Sequence, residues 1–387
     1  MHILPGKPQR QVPQDLMIPF EAPAPLDESI TPVLQPFVDS RSLAGAVTLV
    51  ASKDKVLSLA ATGYADISAN QQLRTDAMFW IASMTKPMTS TALMMLVDKG
   101  EVDLEAPVES YLPEFKDQMI IVEQNAEHVL LKKPSHPITV KNVLSHTAGL
   151  RFSSPMEQPT LDGICLRDSV RSHAMLPLRW EPDSRYDYSN AGTNTAARIL
   201  EVVTGIPYAE FLQERLLDPL GMNDTTFWPS KEQVQRLAKV YKSDAANSGL
   251  EETVISQLSY PLTDRARHPM PAGGLFSTAQ DVVRFCQMIL NSGVLDGKKY
   301  VSEESVKQMT RKQTGEAIQE GYGLAWAINE GRFGHGGALG TNMEINPANG
   351  LITIFMVQHA GFPGDGAKSH DAFKEWAEKQ FCRAVSE

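Results

Sequence analysis

The sequence predicts a mixed α/β (α+β) protein: one antiparallel sheet built from both chain ends, flanked by helices, with an all-helical lobe inserted between its halves. Three observations lead there. Apolar, β-rich runs lie near both termini. Short polar turns join neighbouring runs, which marks hairpins. The middle is dominated by segments with helical spacing and recognisable caps.

The N-terminal strands come first. Ala44–Ala51 is an apolar run, Lys53-Asp54-Lys55 a polar turn, and Val56–Ala61 apolar again. Near the other end, Tyr322–Ile328, Gly337–Ile345 and Leu351–Gln358 read as strands. Asn346-Pro347-Ala348-Asn349-Gly350 turns the chain between the last two. Ser369–Phe381 reads as a closing helix. In the middle, Ser83–Asp98 is helix-like and stops at Gly100, and Thr139 caps a short helix that ends before Gly149. Ser189–Val203 stops at Gly205, and Tyr208–Leu217, Thr278–Leu290 and Glu303–Thr310 follow. Thr278 before Ala-Gln-Asp-Val is a good N-cap. These spans divide the chain into a discontinuous sheet domain (37–86 and 295–387) and a helical domain (87–294), with a cleft between them. Residues 1–36 carry eight prolines. Proline neither continues a helix nor donates to a ladder, so this stretch reads as an extended lead-in.

Composition narrows the function. A chain of 387 residues has a prior of roughly two to three domains. At 42% hydrophobic and 21% charged it can bury a sizeable core, which excludes general disorder. A net charge of −10 without a basic patch argues against nucleic acid as a partner. No apolar run reaches the ~18 residues of a membrane helix. Cys165, Cys286 and Cys382 are too few and too far apart for a disulfide framework, and none forms a C-x-x-C pair. One disulfide plus a free thiol stays open. The start shows no charged segment followed by an apolar one, so the protein is either cytoplasmic or has lost a signal peptide. H-E-x-x-H is absent and the nine histidines are scattered, so no catalytic metal is expected. The glycine-rich phosphate loops and the G-x-S-x-G elbow are absent too. No cofactor is expected.

Three motifs carry chemistry. Ser83-Met84-Thr85-Lys86 places a hydroxyl and an amine three residues apart, on one face of a helix start. Serine needs an adjacent base to become a nucleophile, and lysine serves when burial depresses its pKa. Free N–H groups at a helix start also favour developing negative charge. A second pair, Ser52 and Lys55, lies in the hairpin turn, where water competes. Tyr188-Ser189-Asn190 opens a helix. A cation about 4 Å from Tyr188, at an effective dielectric of ~20, is worth about 4 kcal/mol and would pull a tyrosine toward its ionised form. Asn190 can orient the lysine or a substrate amide. Tyr186 competes with Tyr188 but lacks an asparagine two residues on. His335-Gly336-Gly337-Ala338 reads as a glycine-lined strand start that a ligand can approach closely. The Ala338 and Ser83 N–H groups could form an oxyanion hole, with His335 as a donor at the mouth. His359-Ala360-Gly361 repeats the pattern after the last strand. Taken singly, each motif also fits a cap, a turn or a packing residue.

Taken together and in this order, they resemble the serine β-lactamase-like superfamily: class C β-lactamases, penicillin-binding carboxypeptidases, D-aminopeptidases and family VIII carboxylesterases. Three further segments carry the likeness: Leu144-Ser145-His146-Thr147-Ala148-Gly149-Leu150, Pro219-Leu220-Gly221-Met222 before Asp224-Thr225-Thr226, and Ala272-Gly273-Gly274-Leu275-Phe276-Ser277-Thr278. The resemblance covers about residues 35–382. It implies a β-lactamase/transpeptidase-like fold with Ser83 as acylated nucleophile, Lys86 as its proton acceptor, Tyr188 as proton relay and Asn190 beside them. His146 reads as a packed or capping residue. One position departs from class C β-lactamases, where K-T-G stands in place of His335-Gly336-Gly337. A neutral histidine anchors an anion weakly, so a carboxylesterase acting on short-chain esters is expected. The alternatives are a β-lactamase, D-aminopeptidase or D,D-peptidase acting on amides, or a penicillin-binding sensor that acylates without turnover. The partner expected in every case is a small-molecule ester or amide.

Overall fold

The computed structural model describes residues 29–382. Seven strands form the main sheet: β1 (Gly45–Ala51), β2 (Val56–Asp66), β3 (Gln71–Gln72), β4 (Ala327–Asn329), β5 (Arg332–Gly336), β6 (Asn342–Asn346) and β7 (Leu351–Met356). Their order is β4-β5-β6-β7-β1-β2-β3, with every neighbouring pair antiparallel. The two chain ends therefore meet mid-sheet, where Val47 faces Met356 and Leu49 faces Ile354. β1 and β7 are buried on both faces, which explains why their sequences are continuously apolar rather than alternating.

Seven helices matter for the site and its support: α1 (Thr31–Asp39), α2 (Thr85–Val97), α3 (Val140–Ser145), α4 (Leu166–Ala174), α5 (Asn190–Thr204), α6 (Ala279–Leu290) and α7 (Lys368–Phe381). One sheet face presents Ala46, Val50 and Phe355 to Leu34 and Val38 of α1 and Phe373 and Trp376 of α7. The other presents Val47, Leu49, Met343 and Ile354 to a core shared with Val282, Phe285 and Ile289 of α6. That core runs on without a break through α2, α3 and α5. The helix α6, which falls in the segment 87–294 read as a helical domain, thus packs on the sheet. Among the described residues, no helix is long and apolar enough to cross a membrane.

Caps fall where the sequence placed them. Thr139 accepts from the Asn142 N–H in a full capping box, Ser189 from Gly192 N–H, and Thr278 from Asp281 N–H. Gly205 closes α5 in the left-handed conformation.

Four readings need correction. Residues 1–28 of the proline-rich lead-in lie outside the described residues, but its end is helical rather than extended, from Thr31. Pro32 sits in the first turn of α1, where it is tolerated, and burial of Leu34 and Val38 outweighs the hydrogen bond that Pro36 removes. The strand β5 has no counterpart in the sequence reading, and His335-Gly336 closes it rather than opening one. Its glycines hide it: a Cβ on Gly334 would lie 2.1 Å from the Met343 carbonyl oxygen, so only glycine lets the two strands pair here. Gly337–Gly340 is a turn, and the following strand starts only at Asn342. Tyr322–Trp326 is buried loop, with strand only from Ala327.

Candidate active site

Ser83 stands in a single turn of 3₁₀ helix, Ala82–Met84, that leads directly into α2. Phe79-Trp80 pairs with Phe276-Ser277 and delivers the chain to this turn. Ala82 is held at φ +44°, a left-handed conformation that costs a non-glycine residue roughly 1–3 kcal/mol. The surroundings enforce it. Ile81 N–H donates to Leu275 O (3.0 Å), Trp80 Nε1–H to Gly273 O (2.7 Å), and Thr85 Oγ1 to Ala82 O (2.7 Å). The segment Ala272–Leu275 is thus the cradle of the nucleophile turn.

Lys86 is fully buried in α2. Its Nζ lies 3.0 Å from Ser83 Oγ, 2.9 Å from Asn190 Oδ1 and 2.7 Å from Ala272 O. Burial alone holds the amine well below the ordinary lysine range. A neutral amine has two hydrogens and one lone pair. Asn190 Oδ1 and Ala272 O can only accept, so they take both hydrogens. With Lys86 charged, Nζ donates to Ser83 Oγ as well; with it neutral, the lone pair is left facing the Ser83 hydroxyl, which then donates to it.

Asn190 is the first residue of α5, and Asn194 lies one turn on. Asn194 Oδ1 accepts from the Ala272 N–H (3.2 Å), so one face of α5 fixes both the lysine and the carbonyl that binds it. Sequence reasoning missed Asn194; its spacing of four from Asn190 was the available signal. Gly192 lets α5 approach α3, since a Cβ there would lie 2.2 Å from Val143 O.

Tyr188 precedes the Ser189 cap. Its hydroxyl meets the Ser83 side chain, and its ring lies beneath the lysine, with Nζ 4.7 Å from the centroid. Burial pushes the phenol up to about 12, and the bond to Ser83 offsets only part of that. The expected tyrosinate is therefore reversed. Burial dominates at this phenol and favours its protonated form, and it also favours the neutral form of the Lys86 amine over the ring.

The structure also corrects His335. It is buried rather than exposed at the mouth. Its Nδ1 lies 2.7 Å from Gly336 O and its Nε2 2.9 Å from Tyr322 Oη, so neither nitrogen is free for a substrate. Burial first and the nearby Lys86 second press its pKa down to about 3. Gly337 abuts the nucleophile turn: a Cβ on it would lie 2.6 Å from Ile81 O and 2.1 Å from Thr341 Oγ1. Its N–H donates to Thr341 O (2.7 Å). Ala338 follows in this turn, and its N–H enters none of the turn and loop backbone bonds among the described residues.

The competing motifs stand apart. Ser52 donates to Asp54 in an exposed turn. Tyr186 packs edge-on against His146, with ring centroids 5.9 Å apart. His359 accepts from Ala44 N–H (3.1 Å) and stacks on Phe362. The structure thus brings together Ser83, Lys86, Tyr188 and Asn190, sets Gly337 against Ile81 at the entry to the nucleophile turn, and holds the buried His335 ring 6.1 Å from that of Tyr188 with both nitrogens engaged.

The sheet, the helices and the segments around Ser83 define a β-lactamase-like hydrolase fold. The Beta-lactamase family model matches residues 30–374, and the chain belongs to that family. Protein Rv1367c of Mycobacterium tuberculosis is 30% identical over 354 residues, covering 83% of this chain and 87% of that protein. Esterase EstB of Burkholderia gladioli is 28% identical over 362 residues, with the same coverage of each. Among solved structures, EstCE1, a hydrolase with promiscuous acyltransferase activity, is similar in fold with a TM-score of 0.75 at 22% identity, covering 90% of this chain and 97% of that one.

Proposed function

We propose that the protein is a serine carboxylesterase that works through an acyl-enzyme on Ser83. The observation that carries this reading is the three-way coordination of Lys86, which leaves a neutral amine's lone pair facing the serine hydroxyl. As Ser83 Oγ attacks the ester carbonyl carbon, its proton passes to Lys86 Nζ. In this reading the oxyanion that forms is taken up by the N–H groups of Ser83 and Ala338. When the tetrahedral intermediate collapses, the ester C–O bond breaks and the leaving alkoxide takes the Tyr188 proton. A phenol is far more acidic than an aliphatic alcohol, so that transfer runs downhill. The proton held on Lys86 then restores Tyr188, and water repeats the sequence to release the acid. Asn190 holds the lysine throughout.

The preference for esters over β-lactams rests on the third motif. His335 is neutral with both nitrogens engaged, so no cation stands at the place where K-T-G would supply one for a carboxylate. The similarity to EstB supports the same choice. The test is steady-state hydrolysis of p-nitrophenyl butyrate beside a chromogenic cephalosporin, by wild type and Ser83→Ala. Faster ester turnover that Ser83→Ala abolishes supports the reading. Faster cephalosporin turnover assigns the site to amide chemistry, and acylation without turnover assigns it to a sensor.

A further inference from the structure

Five groups that the proposed reaction does not consume form one continuous hydrogen-bonded chain. Ser189 N–H donates to His146 Nδ1 (3.3 Å). His146 Nε2 lies 3.2 Å from Tyr322 Oη, and Tyr322 Oη lies 2.9 Å from His335 Nε2. His335 Nδ1 ends the chain at Gly336 O, 2.7 Å away. Tyr322, His146 and His335 are all buried.

The two ends of this chain have fixed polarity. A backbone N–H can only donate, so His146 Nδ1 is bare and its hydrogen is on Nε2. A backbone carbonyl can only accept, so His335 carries its hydrogen on Nδ1 and Nε2 is bare. Each end sets its own histidine independently. The Tyr322 hydroxyl then has one orientation that satisfies both: it accepts from His146 and donates to His335. A proton added to His335 would turn a second donor toward the tyrosine oxygen and leave the buried tyrosine hydrogen without an acceptor.

We infer that Tyr322 is a positioning residue that locks His146 and His335 as opposite neutral tautomers and thereby ties together the two backbone segments that wall the site. One end of the chain is the cap of α5, between Tyr188 and Asn190. The other is the peptide that joins Gly336 to Gly337, whose N–H is held in turn by Thr341 O. The segment that carries the Tyr188 relay into α5 and the turn that contains Ala338 are thus held in register through one hydroxyl. The consequence for rate rests on the roles proposed for Ser83 and Tyr188, whereas the tautomers do not.

The groups that face the chain are few. His335 feels Lys86, Tyr322 and the Tyr188 ring; His146 feels Lys86, His335 and the rings of Tyr186, Tyr188 and Tyr322. The test is a two-bond ¹H–¹⁵N spectrum of the full chain labelled at histidine, assigned with His146→Gln and His335→Gln. At neutral pH, His146 is expected to carry its hydrogen on Nε2 and His335 on Nδ1. A charged ring at either position, or the same tautomer at both, overturns the inference whether or not the protein is an esterase. Tyr322→Phe keeps the ring and removes the hydroxyl. It should raise the pH at which His335 titrates in that spectrum and lower kcat on the order of ten- to a hundredfold, with little change in KM. An unchanged His335 titration in a folded Tyr322→Phe overturns the lock.

Discussion

Asn190 and Lys86 are joined by a 2.9 Å hydrogen bond across the junction of α5 and α2, and that bond decides which way the lysine works. With Ala272 O it occupies both hydrogens of the neutral amine. The base is therefore aimed before any substrate arrives.

Replacing Lys86 by arginine tests the aim. Arginine is not deprotonated in proteins, so Lys86→Arg puts a permanent cation where a neutral base is required. Ester hydrolysis should fall by about 10²–10⁴-fold, the usual worth of a general base. Steady-state kinetics, with circular dichroism to confirm folding, checks this.

Asn190→Ala should act through the same amine. Without the amide acceptor, one lysine hydrogen is freed to turn toward Ser83, and the lone pair is no longer held on the nucleophile. kcat should fall on the order of tenfold to a hundredfold. Asn190→Asp differs in sign of charge: a carboxylate beside the amine favours the protonated lysine and should shift the acid limb of kcat/KM to higher pH.

Tyr188→Phe should discriminate between leaving groups. An aliphatic alkoxide needs the tyrosine proton, and p-nitrophenolate does not. The loss, about 10²–10⁴-fold for a general acid, should be larger for an alkyl butyrate than for p-nitrophenyl butyrate. Equal losses on both substrates would place Tyr188 elsewhere in the reaction.

The pH dependence follows from two opposite shifts. The neutral lysine is the active form and its pKa is depressed, so kcat/KM rises as pH passes through that value and then levels. The protonated tyrosine is also required. Its pKa is raised, so the plateau should continue past the ordinary tyrosine value of about 10 and fall only as pH nears about 12. Stability moves with the same lysine. Between the depressed folded value and about pH 10.4 the unfolded chain holds a charged lysine and the folded chain a neutral one, so unfolding binds a proton and stability rises with pH across that window. Lys86→Met removes this slope. Chemical denaturation across that range should show wild type gaining on the variant as pH rises.

Gly337→Ala should damage the wall of the site. The new Cβ would sit 2.1 Å from Thr341 Oγ1 and 2.6 Å from Ile81 O, and the second of these is backbone leading into the nucleophile turn. Overpacking of this kind costs typically 1–3 kcal/mol. A lower denaturation midpoint together with lost turnover is the expected pair of results.

The sequence made some of this legible and hid the rest for physical reasons. Ser83 and Lys86 sit three apart on one helix, and Tyr188 and Asn190 flank a cap, so local spacing places each pair. The packing of α2 against α5, which joins the pairs, is long-range and leaves no local mark. Thr139, Ser189 and Thr278 were readable as caps because capping is a short-range bond. The strand β5 was not readable, because Gly334 and Gly336 suppress the apolar alternation that marks a strand. The sequence presents His335 as a donor to substrate because its partner, Tyr322, lies thirteen residues away in a buried loop that reads as a strand. A tyrosine beside a lysine predicts an ionised phenol, but burial raises the Tyr188 pKa instead. Full burial favours the neutral form of that lysine.

The central claim is that Ser83 carries the acyl group. Intact-mass and peptide mass spectrometry on enzyme quenched during p-nitrophenyl butyrate turnover tests it directly. A butyryl adduct on the peptide containing Ser83, absent in Ser83→Ala, is the predicted result. An adduct on a different residue, or turnover that survives Ser83→Ala unchanged, would contradict it.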